Sequence, residues 1–281
     1  MSVFETFDFR SATDGWRIVG YRWPHPAPHA TVVISHGMAE HARRYDRFAR
    51  ALNAAGHAVV ALDHRAHGAT SGPHGLGDFG AAGWDGLVAD LGQLIDLVRC
   101  ESPGVPVVLF GHSMGAAAAQ QFAPEGSDRI VALVLSGTTL RRPGEAPPVY
   151  NSAFAPARTA YDWLSRDPVE VDRYMTDPLC GFEGQTVRNG FDRNDPRRTD
   201  PARLARIRPD LPVLIVVGDA DPVHNGLEGV RYLERSWREA GVRRIDELVY
   251  PGGRHEMLNE INRDAVTADI VAWLVRHLGA A

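Results

Sequence analysis

A serine flanked by glycines, Gly111-His112-Ser113-Met114-Gly115, follows the apolar run Val107-Val108-Leu109-Phe110 and precedes the helix-forming run Ala116 to Ala119. Between a strand and a helix, this G-x-S-x-G spacing lifts a serine hydroxyl to the apex of a tight turn, where it can act as a nucleophile. The glycines are required because the backbones leaving so sharp a turn nearly touch. The amide after the serine falls at a helix start, where N–H groups have no internal partner, so it is free to stabilise an oxyanion. Chance supplies such a pentapeptide in about one chain in ten of this length, so its partners must be found elsewhere in the chain.

An activated serine needs a base within hydrogen-bond reach and a third group to orient that base. Two downstream loops supply them, each following an apolar run. Gly218-Asp219-Ala220-Asp221-Pro222-Val223 follows the run ending at Val217, and Pro251-Gly252-Gly253-Arg254-His255 follows the run ending at Tyr250. The order serine, acid, histidine is one of the known orders of a catalytic triad. His255 is the expected base. Asp221 is favoured over Asp219 as the acid because Pro222 stiffens the backbone after it; Asp219 is expected to cap the turn through its own backbone. A second oxyanion donor is expected from Ser35-His36-Gly37-Met38, so the amides of Met38 and Met114 form the expected pair. Gly37, His112 and His224 are expected beside the substrate, with His112 also packing or hydrogen-bonding within the turn. His36 is expected to order its loop, and Glu40, His41 and Arg44 to brace it.

Other patterns are set aside. Asp63-His64-Arg65-Ala66-His67 matches no zinc spacing and reads as a structural loop. Gly75-Leu76-Gly77-Asp78-Phe79-Gly80 fits G-x-G-x-x-G but follows Ser71-Gly72-Pro73-His74 rather than an apolar strand, so it is not a dinucleotide site. All 30 basic side chains are arginine. A Schiff-base lysine, a pyridoxal phosphate enzyme and a Walker phosphate loop are therefore excluded. No cofactor and no metal are expected.

Composition sets the outer limits. The apolar fraction of 44% and charged fraction of 23% are those of an ordinary globular protein. A net charge of −5 gives no footing for nucleic acid. The start Met1-Ser2-Val3-Phe4-Glu5 does not read as a secretory signal, and no run is long enough to span a membrane. Cys100 and Cys180 are too few and too far apart for a disulfide framework, so a cytoplasmic setting is expected.

Positioning these loops requires a sheet. Glu5 to Arg10 and Trp16 to Trp23 read as a hairpin; Ala30 to Ser35, Ala58 to Leu62, Ile130 to Leu135, Leu211 to Val217 and Glu247 to Tyr250 read as further strands. Amphipathic helices are expected over Arg44 to Ala55, Trp84 to Cys100, Leu227 to Ala240 and Asp264 to Leu278. This alternation implies an α/β fold with a mostly parallel central sheet covered by helices on both faces. Residues 137–209 break the pattern with many Pro, Arg and Asp residues and short helical pieces such as Pro168 to Thr176. They read as an inserted helical cap on a core of residues 1–136 and 210–281. The cap's aromatics, Tyr150, Phe154, Tyr161, Trp163 and Tyr174, are expected mostly to form its own small core, with transient membrane-surface contact as the alternative.

At this point a family likeness emerges. His36-Gly37-Met38-Ala39-Glu40-His41 with Arg44-Tyr45, Asp63 to Gly68, Gly111 to Gly115, Gly218 to Val223 and His255-Glu256-Met257-Leu258-Asn259-Glu260 resemble the monoacylglycerol lipase and lysophospholipase-like branch of the α/β-hydrolases. The likeness extends to Ser165-Arg166-Asp167-Pro168 and Asp177-Pro178-Leu179 and covers nearly the whole chain. It implies the α/β-hydrolase fold, Ser113 as nucleophile, Asp221 as acid, His255 as base and Met38 with Met114 as oxyanion donors. It also implies a cofactor-free hydrolase of carboxylic esters, with a monoacylglycerol or similar single-chain lipid as substrate. Ala66 and Ala116 depart from the pattern, each standing where the family usually or often has glycine. Acyl transfer, lysophospholipase or general carboxylesterase activity would use the same triad. A non-catalytic ligand-binding module would be marked by loss of a triad member, and none is lost. The acyl chain length, head group and oligomeric state are left open.

Overall fold

Along the central strands, side chains point alternately to opposite faces, and both faces are apolar. Val108 and Phe110 enter one core, with Ile34, Val134 and Val216. Val107 and Leu109 enter the other, with Val33, Leu135 and Val217. Strands buried on both faces read as continuous apolar runs, as these do, and they need helices on each side. The computed structural model describes residues 4–72, 75–142, 144–146, 148–182, 190–192 and 194–278. The Met1–Val3 start and Pro73-His74 therefore lie outside the described residues.

The strands are β1 (Glu5–Arg10), β2 (Arg17–Trp23), β3 (Thr31–Ser35), β4 (Ala58–Leu62), β5 (Val107–His112), β6 (Ala132–Ser136), β7 (Pro212–Gly218) and β8 (Arg244–Tyr250). Among the described residues they form one sheet in the order β1-β2-β4-β3-β5-β6-β7-β8. The β1–β2 and β2–β4 pairs are antiparallel; all later pairs are parallel. Helices α1 (Asp46–Ala54), α2 (Gly83–Glu101), α3 (Met114–Gly126), α4 (Pro168–Thr176), α5 (Pro201–Leu204), α6 (Glu228–Glu239) and α7 (Arg263–Leu278) complete the regular elements. Helices α2, α3 and α6 contribute Leu91, Phe122 and Trp237 to one core. The opposite core takes Leu52 of α1 and Trp273 of α7.

The expected α/β architecture is present, with several elements differing in extent, among them the strand expected over Ile130 to Leu135, which runs Ala132–Ser136. The region expected as one helix from Arg44 begins with a 3-10 turn over Ala42–Tyr45, and α1 proper starts at Asp46. The last strand starts at Arg244, three residues before the expected Glu247. It is an edge strand with mostly half-buried or exposed residues, so its apolar signal is weak there. The helix after Ser113 runs on to Gly126 with Pro124 inside it. The segment between β6 and β7 contributes α4 and α5 and, among the described residues, no strand. Register sets the functional edge: Ser35 pairs with Gly111, His112 with Ser136 and Gly218 with Tyr250. The loops after β3, β5, β7 and β8 therefore leave the sheet on the same side.

Candidate active site

The turn at Ser113 is held in a conformation that costs energy. Ser113 has φ 52° and ψ −113°, outside the favoured regions for a residue with a Cβ. Its amide donates to Ser136 O at 2.9 Å and its carbonyl accepts from Ala117 N at 3.0 Å, so strand β6 and helix α3 fix it from both sides. The two glycines answer to close approach. A Cβ on Gly111 would lie 2.6 Å from Gly115 O, and one on Gly115 would collide with the Ser35 and His36 carbonyls. Helix α3 is thereby seated directly on the loop after β3.

That loop is braced by buried polar side chains. Glu40 Oε1 accepts from Gly37 N at 2.5 Å and from Tyr45 OH at 2.8 Å. Arg44 donates to Glu40 and, by two bonds, to Glu256. Burial works against both carboxylates, but the Arg44 guanidinium between them holds each below its ordinary value. His36 Nδ1 donates to Gly37 O at 2.8 Å, and His36 Nε2 accepts from His64 N at 3.0 Å. His67 Nε2 accepts from Ala39 N at 3.2 Å, while His64 bonds the Ser35 hydroxyl. Burial pushes the imidazolium forms of His36 and His64 well down and brings His67 to about 4, so these rings are neutral. They act as fixed hydrogen-bonding posts. The sequence placed His36, Glu40 and Arg44 in this brace but not His64 and His67, whose partners lie some thirty residues away (His67 to Ala39, 28 apart).

Asp221 and His255 meet above this floor. Nδ1 of His255 donates to Asp221 Oδ2 at 2.8 Å, and both side chains are buried. Asp221 Oδ1 also accepts from Val223 N at 2.8 Å, with Pro222 opening the 3-10 turn that follows. Burial disfavours the charged His255 ring, yet the neighbouring carboxylate outweighs it and lifts the imidazole above its ordinary value. The same pairing keeps Asp221 low against its own burial. His112 lies beside them, its ring centroid 4.9 Å from that of His255. Burial and the like charge of His255 bring His112 down to about 4, so it stays neutral.

A cavity of about 180 Å³ brings Ser113 and His255 together with Gly37, Met38, His112 and Met114. Val223 lines it too, but His224 does not. The expectation of His224 beside substrate is corrected: its ring is fully buried, with Nε2 donating to Gly218 O and Nδ1 accepting from Leu227 N. Both nitrogens are spent on holding the Asp221 loop. Asp219 also differs from expectation: instead of capping its own turn, its Oδ1 accepts from Gly252 N in the His255 loop. The far wall comes from the inserted segment. Trp163 tilts over His255 at 4.9 Å and stacks on Tyr150 at 4.4 Å. Backbone bonds from His255 N to Trp163 O and from Glu256 N to Leu164 O tie this wall to the site. Leu164, Tyr174 and Cys180 make a small core with Tyr161 and Trp163. Arg198, from the far end of the segment, also reaches the cavity; no periodic signal marked it.

The sheet order, the strained serine turn and the Asp–His pair at the carboxyl edge define an α/β-hydrolase. The chain belongs to the serine aminopeptidase S33 family (Hydrolase_4), whose model matches residues 26–262. It is 31% identical to the monoacylglycerol lipase of Mycolicibacterium smegmatis, covering 94% of this chain and 95% of that protein. It is 30% identical to the monoglyceride lipase of Homo sapiens, covering 95% and 90%. Among solved structures, a thermostable carboxyl esterase from Bacillus coagulans in complex with glycerol superposes with a TM-score of 0.90 at 25% identity, covering 99% of this chain and 100% of that one. A soluble variant of Saccharomyces cerevisiae monoglyceride lipase shares the fold, with a TM-score of 0.81 at 21% identity over 100% and 97% of the chains.

Proposed function

We propose that the protein hydrolyses carboxylic esters through an acyl-enzyme on Ser113, with monoacylglycerols or similar single-chain lipid esters as its substrates. The reading is carried by one observation: a serine held at positive φ and a histidine in a buried 2.8 Å bond to Asp221 line the same cavity. In this reading His255 takes the Ser113 proton as the serine oxygen bonds to the ester carbonyl carbon. The amides of Met38 and Met114 hold the resulting oxyanion, each contributing about 3 kcal/mol to the transition state. His255 returns the proton to the departing alcohol as the C–O bond breaks. Water, deprotonated by the same ring, then attacks the acyl-enzyme, and the acid leaves as Ser113 is reprotonated. Asp221 stays ionised, fixing the ring's tautomer and stabilising the imidazolium.

Residues 137–209 act in this reading as a cap over a core of 1–136 and 210–281, with Tyr150, Trp163 and Leu164 forming an apolar wall for the acyl chain. The relatives in which monoacylglycerol cleavage is named span nearly this whole chain, which supports the choice of lipid. The test is product analysis. Wild-type protein given a monoacylglycerol should release free fatty acid and glycerol, and Ser113→Ala should release neither. Undiminished hydrolysis by the variant would overturn the assignment of Ser113, and a new ester in place of free acid would make the protein a transferase.

A further inference from the structure

Behind the wall of the ester-cleaving cavity, three side chains of metal-ligating type converge where the inserted segment meets the loop after β3. His41 from that loop, Asp177 just beyond α4 and Cys180 bring a ring nitrogen, a carboxylate oxygen and a sulfur within 4.8 Å of one another. His41 Nε2 is 2.9 Å from Asp177 Oδ2. His41 Nδ1 is buried without a hydrogen-bond partner. The backbone presets this arrangement. Cys180 N donates to Asp177 O at 3.0 Å, Leu179 N donates to Asp177 Oδ1 at 2.9 Å, and Gly181 N donates to Ala39 O at 3.0 Å.

We propose that His41, Asp177 and Cys180 form a binding site for a soft divalent cation of the zinc class. A set of imidazole, thiolate and carboxylate suits zinc, whereas magnesium and calcium prefer oxygen alone. Three protein ligands leave the fourth tetrahedral position to water. Most arginines around the site are already engaged by carboxylates: Arg44 by Glu40 and Glu256, and Arg47 and Arg173 both by Glu170, while Asp177 offers its charge to the ion. Entry is open, because His41 and Asp177 line a surface groove of about 730 Å³ that also holds Arg43, Arg44, Arg47 and Arg173.

On binding, the Cys180 S–H bond breaks, the proton leaves to solvent and sulfur bonds to the metal, with no change of oxidation state. The ion takes over the His41–Asp177 hydrogen bond and links the inserted segment to the loop carrying Met38. This role goes beyond ester cleavage and does not depend on it.

The test uses the untagged full chain, freed of metal by chelation and titrated with Co²⁺. The wild type should show a thiolate-to-cobalt charge-transfer band at one equivalent, and Zn²⁺ should abolish it by displacement. Zn²⁺ should also raise the melting temperature, as any ligand bound only by the folded state does. Cys180→Ser should lose the band, whereas Cys100→Ser, at the exposed second thiol, should keep it. Asp177→Asn should weaken Zn²⁺ binding by on the order of tenfold or more. No band in the wild type would overturn the proposal, whatever the variants do. So would a band that survives Cys180→Ser.

Discussion

At the scale of single residues, chemistry is decided by who stands beside whom. Asp221 and Asp219 are two residues apart, yet one bonds the His255 ring and the other bonds Gly252 N. Asp221→Asn should therefore lower kcat by on the order of 10⁴-fold, as removing a triad carboxylate does. Asp219→Asn should cost far less, and steady-state kinetics on a soluble ester compares them; the reverse ranking would exchange their roles. Protonation gives a second reading of the same pair. His255 must be neutral to act as base, and Asp221 raises the value at which it takes up a proton. Activity should fall with decreasing pH along a limb lying above about 6.5, the ordinary imidazole value. In Asp221→Asn burial acts without the carboxylate, so the limb of the residual activity should move to lower pH. A pH profile of kcat/KM for both proteins checks the sign.

The elements hold these residues through close approach, and glycine marks where that is tightest. Gly115 seats α3 on the Ser35–His36 backbone. Gly115→Ala should destabilise the fold by about 1–3 kcal/mol, the usual cost of overpacking, and displace the loop that carries Met38. Gly92 in α2 offers the contrast: a Cβ there would meet only ordinary contacts, the nearest at 3.6 Å from Phe122. Gly92→Ala should stabilise by about 0.5–1 kcal/mol through the lower entropy of the unfolded chain. Urea denaturation of both variants measures the opposite signs. Ala66, at the position where the likeness leads one to expect glycine, sits at φ 61°. This chain thus holds a left-handed alanine in the brace loop, a conformation that normally favours glycine.

For the whole molecule, legibility follows sequence distance. Apolar runs announced the strands, and residues just past their ends, Ser113, Asp221 and His255, were readable because a strand end points its loop at a known edge. The partners of His224 and Asp219 were not, since a buried ring or a remote amide leaves no local pattern. The inserted segment was legible only in outline. Its aromatics do pack together, as Tyr161, Trp163 and Tyr174 show. That Trp163 would lie over His255 depended on contacts across some ninety residues, such as Glu256 N to Leu164 O. No helix among the described residues is long and apolar enough to cross a membrane. The segment's exposed apolar side chains are aliphatic or thioether instead, with Val169 and Met175 on α4 at 55% and 47% exposure. If this helix meets aggregated lipid, Val169→Ser with Met175→Ser should reduce activity on micellar monoacylglycerol and leave activity on a dissolved short-chain ester unchanged. Wild-type activity of the variant on the micellar substrate would remove α4 from the lipid contact.

Ser113 is the proposed nucleophile and His255 the base proposed to activate it. Intact-protein and peptide mass spectrometry after treatment with a fluorophosphonate tests this without reference to any particular lipid. A single adduct is expected on the peptide bearing Ser113, absent in Ser113→Ala and formed much more slowly in Asp221→Asn. An adduct on another residue, or undiminished labelling of Ser113→Ala, would contradict it.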